Sequence, residues 1–387
     1  LSAIPLFIFM ASMLERAGII NDMFDVIYKV LGGVKGGLAA ATIIASTVLA
    51  AMVGVIGAAV VTMGIIALPA MLKRNYDPKI AMGSIMAGGT LGILIPPSIL
   101  AIIYAVVAEQ SVGELFIGAV IPGLLLSGMY VAYVILRSYI NPQLGPPIPM
   151  EERVSTADKF RLVGKMSAPI ALIVVVLGVI FTGVATPVEA AGIGTFGAFI
   201  VAAIHRKLDW QTIREASIGT LKASAMVIWI MFGATIFVGL YVLEGGQQFV
   251  QNALQATGFG PWGILIIMQI VLIILGMFLD WVGILLLCVP IFVPIVKALG
   301  AQAFGLDNPD DLVLWFGVLY LVNMQMSFLS PPFGYALFYL RGVAPPEIPM
   351  TDIFKSALPF LALQVVGLLL CMFFPEIITW LPRLVYG

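Results

Sequence analysis

Two tandem prolines, Pro96-Pro97 and Pro331-Pro332, lie in the middle of apolar segments, GGTLGILIPPSILAIIYAVV (88–107) and VNMQMSFLSPPFGYALFYL (322–340). Proline removes a backbone donor and clashes with the preceding helical turn. It also pushes the residue before it out of the α region. Neither segment can be one straight helix, so 79–107 and 313–340 read as discontinuous helices with unwound middles. In lipid each unpaired backbone group costs several kcal/mol, and irregular backbone at that depth must be covered by protein or line a watery cavity.

Composition makes lipid the relevant solvent. Only 10% of the 387 residues are charged, 61% are hydrophobic and mean hydropathy is +1.11. A soluble chain of this size could not hide that much apolar surface. Disorder, nucleic-acid binding and a disulfide-stapled fold are excluded. The fold class expected is an all-α polytopic membrane protein. Crossing a bilayer takes about 20 apolar residues, which gives spans at 113–137, 167–185, 187–204, 223–243 and 356–380. The opening run LSAIPLFIFMASML (1–14) reads as a truncated span, with further spans expected before Leu1.

Residues 38–72 and 262–299 are each too long for one crossing and too short for two. They are interrupted by AMVGVIGAA (51–59) and FLDWVG (278–283). Both read as re-entrant helical hairpins. All but Lys297 and Arg383 of the 19 lysines and arginines then fall on one side, which the positive-inside rule places in the cytoplasm. The two hairpins open to opposite sides. Segments 21–33, 208–219 and 244–258 mix polar and apolar residues at helical spacing and read as surface arms.

An internal repeat follows. Each half runs hairpin, broken helix, then a span bearing a proline, Pro122 or Pro359, at nearly equal distance from its proline pair. The chain divides into a truncated scaffold span and arm (1–37), a first transport repeat (38–140), a cytoplasmic linker (141–166), scaffold spans and arms (167–261) and a second transport repeat (262–387). Inverted repeats with broken helices are the pattern of a secondary transporter with a midplane site. A channel is the alternative, since broken helices also build pores. An enzyme is not expected. No GxxxxGK[ST] occurs, the single His205 sits in an interfacial basic cluster, and Asp280 has no second acid at its depth, which disfavours an intramembrane hydrolase. Cys288 and Cys371 lie in apolar runs without ligand spacing.

The segments AIPLFIFMASMLERAGI (3–19), YDPKIAMGSIMAGGTLGILIPPSI (76–99), TPVEAAGIG (186–194), GMFLDWVGILLLCVPIFVPIVKALG (276–300) and LSPPFGYALF (329–338) resemble the large membrane subunit of tripartite ATP-independent periplasmic (TRAP) transporters. The resemblance covers essentially the whole chain. It implies a sodium-driven elevator permease in a bacterial or archaeal cytoplasmic membrane. Its partners would be a smaller four-helix membrane subunit, an extracytoplasmic solute-binding protein and a small organic acid, with Na⁺ as coupling ion and no other cofactor.

Na⁺ is a hard cation that takes oxygen ligands, which unwound carbonyls and helix C-terminal ends supply. The first sodium site is expected at the first hairpin tip, Gly54 to Gly57, against Thr90, Gly92, Pro96 and Ser98. The second is expected at the second tip, Asp280 to Gly283, against Met326, Ser327, Ser330 and Gly334. Asp280 reads as the N-cap of the hairpin's second helix, with a role beside sodium as the alternative. Substrate is expected between the tips, a carboxylate meeting helix dipoles and the hydroxyls of Ser98, Ser327 and Ser330.

Overall fold

The computed structural model describes residues 2–53, 56–149, 164, 166–256 and 258–387; Gly54 and most of the expected linker lie outside them. The described residues are helical, with no strand, and seven helices are long and apolar enough to cross a membrane.

Helix α1 (Ala3–Arg16) leads into the amphipathic α2 (Ile19–Leu31). A helix pair follows, α3 (Gly37–Val53) and α4 (Ile56–Lys73), packed on one another. Then comes a broken helix. Asp77 caps α5 (Pro78–Thr90), its carboxylate accepting from the Lys79 and Ile80 amides. A single 3₁₀ turn (Leu91–Ile93) ends the helical run before the proline pair, and α6 (Ile99–Ala108) restarts with Ser98 as its cap. α7 (Val112–Ile140) closes the first half.

The second half repeats this order. α12 (Pro261–Gly276) and α13 (Trp281–Leu299) form a pair, α14 (Pro309–Leu329) and α15 (Tyr335–Val343) flank the second proline pair, and α16 (Met350–Phe373) follows. The halves interlock reciprocally: α4 packs on α15 and α13 on α6, while α5 packs on α16 and α14 on α7. α14 is the centre of the molecule, with every residue from Leu312 to Leu329 buried. Small residues let these helices approach, as expected where lipid gives no hydrophobic drive between them. A β-carbon on Gly88 would meet Ser46 of α3, and one on Gly89 would meet Val60 of α4.

Between the halves lie α8 (Ser167–Phe181), α9 (Pro187–Ile204), α10 (Trp210–Leu243) and α11 (Gly246–Ala256). Thr186 and Glu189 form a capping box at the start of α9, with Pro187 at the first helical position. Two expectations need correction. Residues 208–219 are not a separate surface arm: Asp209 caps a helix at Trp210 that continues unbroken through the span to Leu243. The last span ends at Phe373, and a distinct α17 (Glu376–Tyr386) follows it.

A buried polar contact ties the second pair to α14. The Asn323 amide donates to the Gln269 backbone carbonyl at 3.0 Å and to its side-chain oxygen at 2.7 Å. Asn323→Leu is expected to destabilise the protein by about 1 kcal/mol, the scale of interhelical side-chain bonds in membranes. Thermal unfolding in detergent measures it, and an unchanged transition would show the bond to be idle.

Candidate functional site

Both helix-pair tips and both breaks converge on one cleft of about 60 Å³. Ile56 and Gly57 come from the first tip, Asp280 and Trp281 from the second. Ile93 precedes the first proline pair; Phe328 and Tyr335 flank the second, and Tyr339 lies one turn further along α15. The convergence follows from the reciprocal packing, because α4 crossing α15 brings Gly57 to Tyr339. A β-carbon at Gly57 would lie 3.1 Å from that ring.

The electrostatics of this cleft are set by backbone. α4 starts at Ile56, α13 at Trp281 and α15 at Tyr335, so three helix N-termini face it. Helix N-termini carry partial positive charge and amides without intrahelical partners. Asp280 is the one charged side chain in the lining. It caps α13, accepting from the Val282 amide at 3.1 Å. The second tip is further tied to α14 by the Tyr320 hydroxyl, which donates to the Trp281 carbonyl at 3.4 Å.

The expected site residues separate into two groups. Gly57 and Asp280 line the cleft, whereas the hydroxyls largely serve backbone elsewhere. Thr90 donates to the Ala87 carbonyl and accepts from Gln364 of α16 at 3.4 Å. Ser98 donates to the Ile93 carbonyl and Ser330 to the Met326 carbonyl. Ser327 is buried against Gly276, where a β-carbon would sit 1.8 Å from its oxygen. Gly92, Pro96 and Met326 are buried in and beside the breaks. Gly283 stands in open space, and Gly334 is crowded by the carbonyls of Phe328 and Ser330. Gly54 lies outside the described residues. Ile56 and Trp281 fall within the two tips expected from the sequence, whereas sequence reasoning missed Ile93, Phe328, Tyr335 and Tyr339. The available signal was position: Tyr335 and Tyr339 share one face of the helix that restarts after the second proline pair.

The family model described as "Tripartite ATP-independent periplasmic transporter, DctM component" matches residues 1–377. The chain belongs to the TRAP transporter large-permease family. The C4-dicarboxylate TRAP transporter large permease protein DctM of Pseudomonas aeruginosa is 32% identical over 386 residues, covering 99% of this chain and 86% of that one. The isethionate TRAP transporter permease protein DctMQ of Oleidesulfovibrio alaskensis is 30% identical, covering 97% of this chain and 57% of that longer relative. Among solved structures, the YdaH transporter of Alcanivorax borkumensis shares the fold, with a TM-score of 0.64 at 14% identity over 98% of this chain and 86% of that one. This TRAP permease is thus a multi-pass membrane transport protein of a binding-protein-dependent system and not an enzyme.

Proposed function

We propose that this permease takes up a small organic acid, coupled to inward sodium movement, by an elevator motion of its two repeats. The observation that carries this reading is the single cleft shared by two helix-pair tips and two helix breaks. In this reading the pairs α3–α4 and α12–α13 are re-entrant hairpins opening to opposite sides, and the lysine-rich and arginine-rich loops face the cytoplasm of an inner membrane.

A carboxylate suits the cleft despite the absence of Arg, Lys or His among its lining residues. Three helix N-termini offer amides and partial positive charge, as at other anion sites. Sodium supplies the rest. The second ion is expected beside Asp280 and the carbonyls around Gly334, and the first beside Gly57 and the break at Gly92–Pro96. Each inward charge gains about 2.3 kcal/mol per 100 mV, so two ions with a neutral net load gain roughly twice that. The relatives named for a C4-dicarboxylate and for isethionate both refer to organic anions, which supports the class without fixing the solute. The proposed partners are a small membrane subunit and a solute-binding protein. A relative nearly twice as long, named for both M and Q, is consistent with a fused small subunit.

The test is uptake of radiolabelled organic acids into proteoliposomes holding the complete permease and its binding protein. Saturable uptake that vanishes when choline replaces sodium is expected. Uptake indifferent to sodium would remove the coupling, and an unsaturated conductance would point to a channel.

A further inference from the structure

The basic end of the bundle carries a second, separate pocket, of about 230 Å³. Its chemistry is opposite to that of the central cleft. Lys79 near the start of α5, Arg137 near the end of α7 and Lys355 in the first turns of α16 all line it, with Tyr133 and Ser356 between them. The one acid in the lining, Asp77, is occupied with the amides of Lys79 and Ile80 as the cap of α5. Among the described residues, none of the three cations has a side-chain hydrogen bond or ion pair, unlike Arg16, Lys29 and Arg383, which are paired with carboxylates. Three cations against the one carboxylate of Asp77 leave this concavity with a net positive charge, which a bound anion would offset.

The same helices carry apolar stripes beside the cations. Tyr133, Leu136, Arg137 and Ile140 follow i, i+3, i+4, i+7 spacing along one face of α7, and Lys355, Leu358 and Pro359 follow i, i+3, i+4 spacing on α16. Leu136, Ile140 and Leu358 are all exposed, at 61%, 70% and 55%. Leu136 lies level with Arg137 and Leu358 about one turn inward of Lys355, so exposed apolar side chains lie beside and below the cations, whereas Ile140 ends α7 beyond Arg137. A free anion would use the cations alone, whereas a lipid would use both.

We propose that Lys79, Arg137 and Lys355 bind the phosphate group of an anionic phospholipid whose acyl chains run inward past Leu136 and Leu358. Because α5 and α7 belong to one repeat and α16 to the other, the lipid bridges the two halves at this end. The proposal is independent of which solute or ion crosses the central cleft.

Native mass spectrometry of the purified, delipidated permease, titrated with dioleoylphosphatidylglycerol and with dioleoylphosphatidylcholine, tests it. Phosphatidylglycerol is expected to bind roughly tenfold or more tightly than phosphatidylcholine. Lys355→Gln should remove about fivefold of that preference and Lys355→Arg should retain it. Millimolar inorganic phosphate should leave the bound lipid in place. Equal binding of the two lipids to the wild type would overturn the proposal without recourse to any variant. So would an undiminished preference in Lys355→Gln, and displacement by inorganic phosphate would make this a free-phosphate site instead.

Discussion

Asp280→Asn is expected to weaken apparent sodium affinity in transport roughly a hundredfold while leaving the protein folded. Asp280 does two things at once: it caps α13 through the Val282 amide, and it presents the cleft's only formal charge. Capping needs only an acceptor oxygen, and Asn caps about as well as Asp. A charge at depth, by contrast, costs about 2.5–3.5 kcal/mol on insertion scales, and no Lys, Arg or His lines the cleft to repay it. In the proposed function the carboxylate has a use beyond the cap, as the direct partner of a coupling cation. Removing one partner of a desolvated charge pair costs about 2–5 kcal/mol, which brackets the hundredfold effect. Asp280→Ala adds the loss of the cap, about 1 kcal/mol, and should lower thermal stability as well. Sodium titrations of uptake, paired with unfolding of both variants, separate the roles. If Asp280→Asn keeps wild-type sodium affinity, the residue is a cap alone and the second ion site is misplaced.

Much of this architecture could be read from particular residues. Pro96-Pro97 and Pro331-Pro332 located both breaks, because no helix passes intact through a tandem proline. Asp280 announced the start of α13 as its N-cap. The continuity of α10 was less legible. The mixed polar and apolar residues of 208–219 resemble a surface helix, yet no proline separates them from the following span, so a helix nucleated at Asp209 runs on. Patterning reports which faces meet water or lipid, and continuity depends on the absence of a breaker.

The site itself was legible only in outline. Serine and threonine near a break suggested ligands, but such hydroxyls readily bond nearby backbone carbonyls, as Thr90, Ser98 and Ser330 do. What brings Tyr335 and Tyr339 to Gly57 is the crossing of α4 with α15, a contact between halves that spacing along the chain does not encode. The tips were thus predictable as a pair, and their aromatic surroundings emerge from the interlock.

Gly334→Val is expected to reduce uptake roughly a hundredfold, whereas Gly283→Ala should leave it nearly unchanged. Both glycines were candidates for the same ion site, and the space around them differs sharply. A β-carbon at Gly334 would lie 2.6 Å from the Phe328 carbonyl oxygen and 2.9 Å from that of Ser330; at Gly283 it would meet nothing within 4 Å. The crowding atoms at Gly334 are main chain at the end of α14, which is buried from Leu312 to Leu329, and they cannot swing aside as a flexible side chain would. The break must widen, at a cost of about 1–3 kcal/mol for the added bulk, and the carbonyls proposed to face sodium move with it. The defect should therefore fall on sodium-dependent turnover more than on assembly, which uptake assays and size-exclusion profiles of each variant distinguish. Wild-type turnover in Gly334→Val would mean that the second break tolerates a change in shape, and that its carbonyls hold no ion.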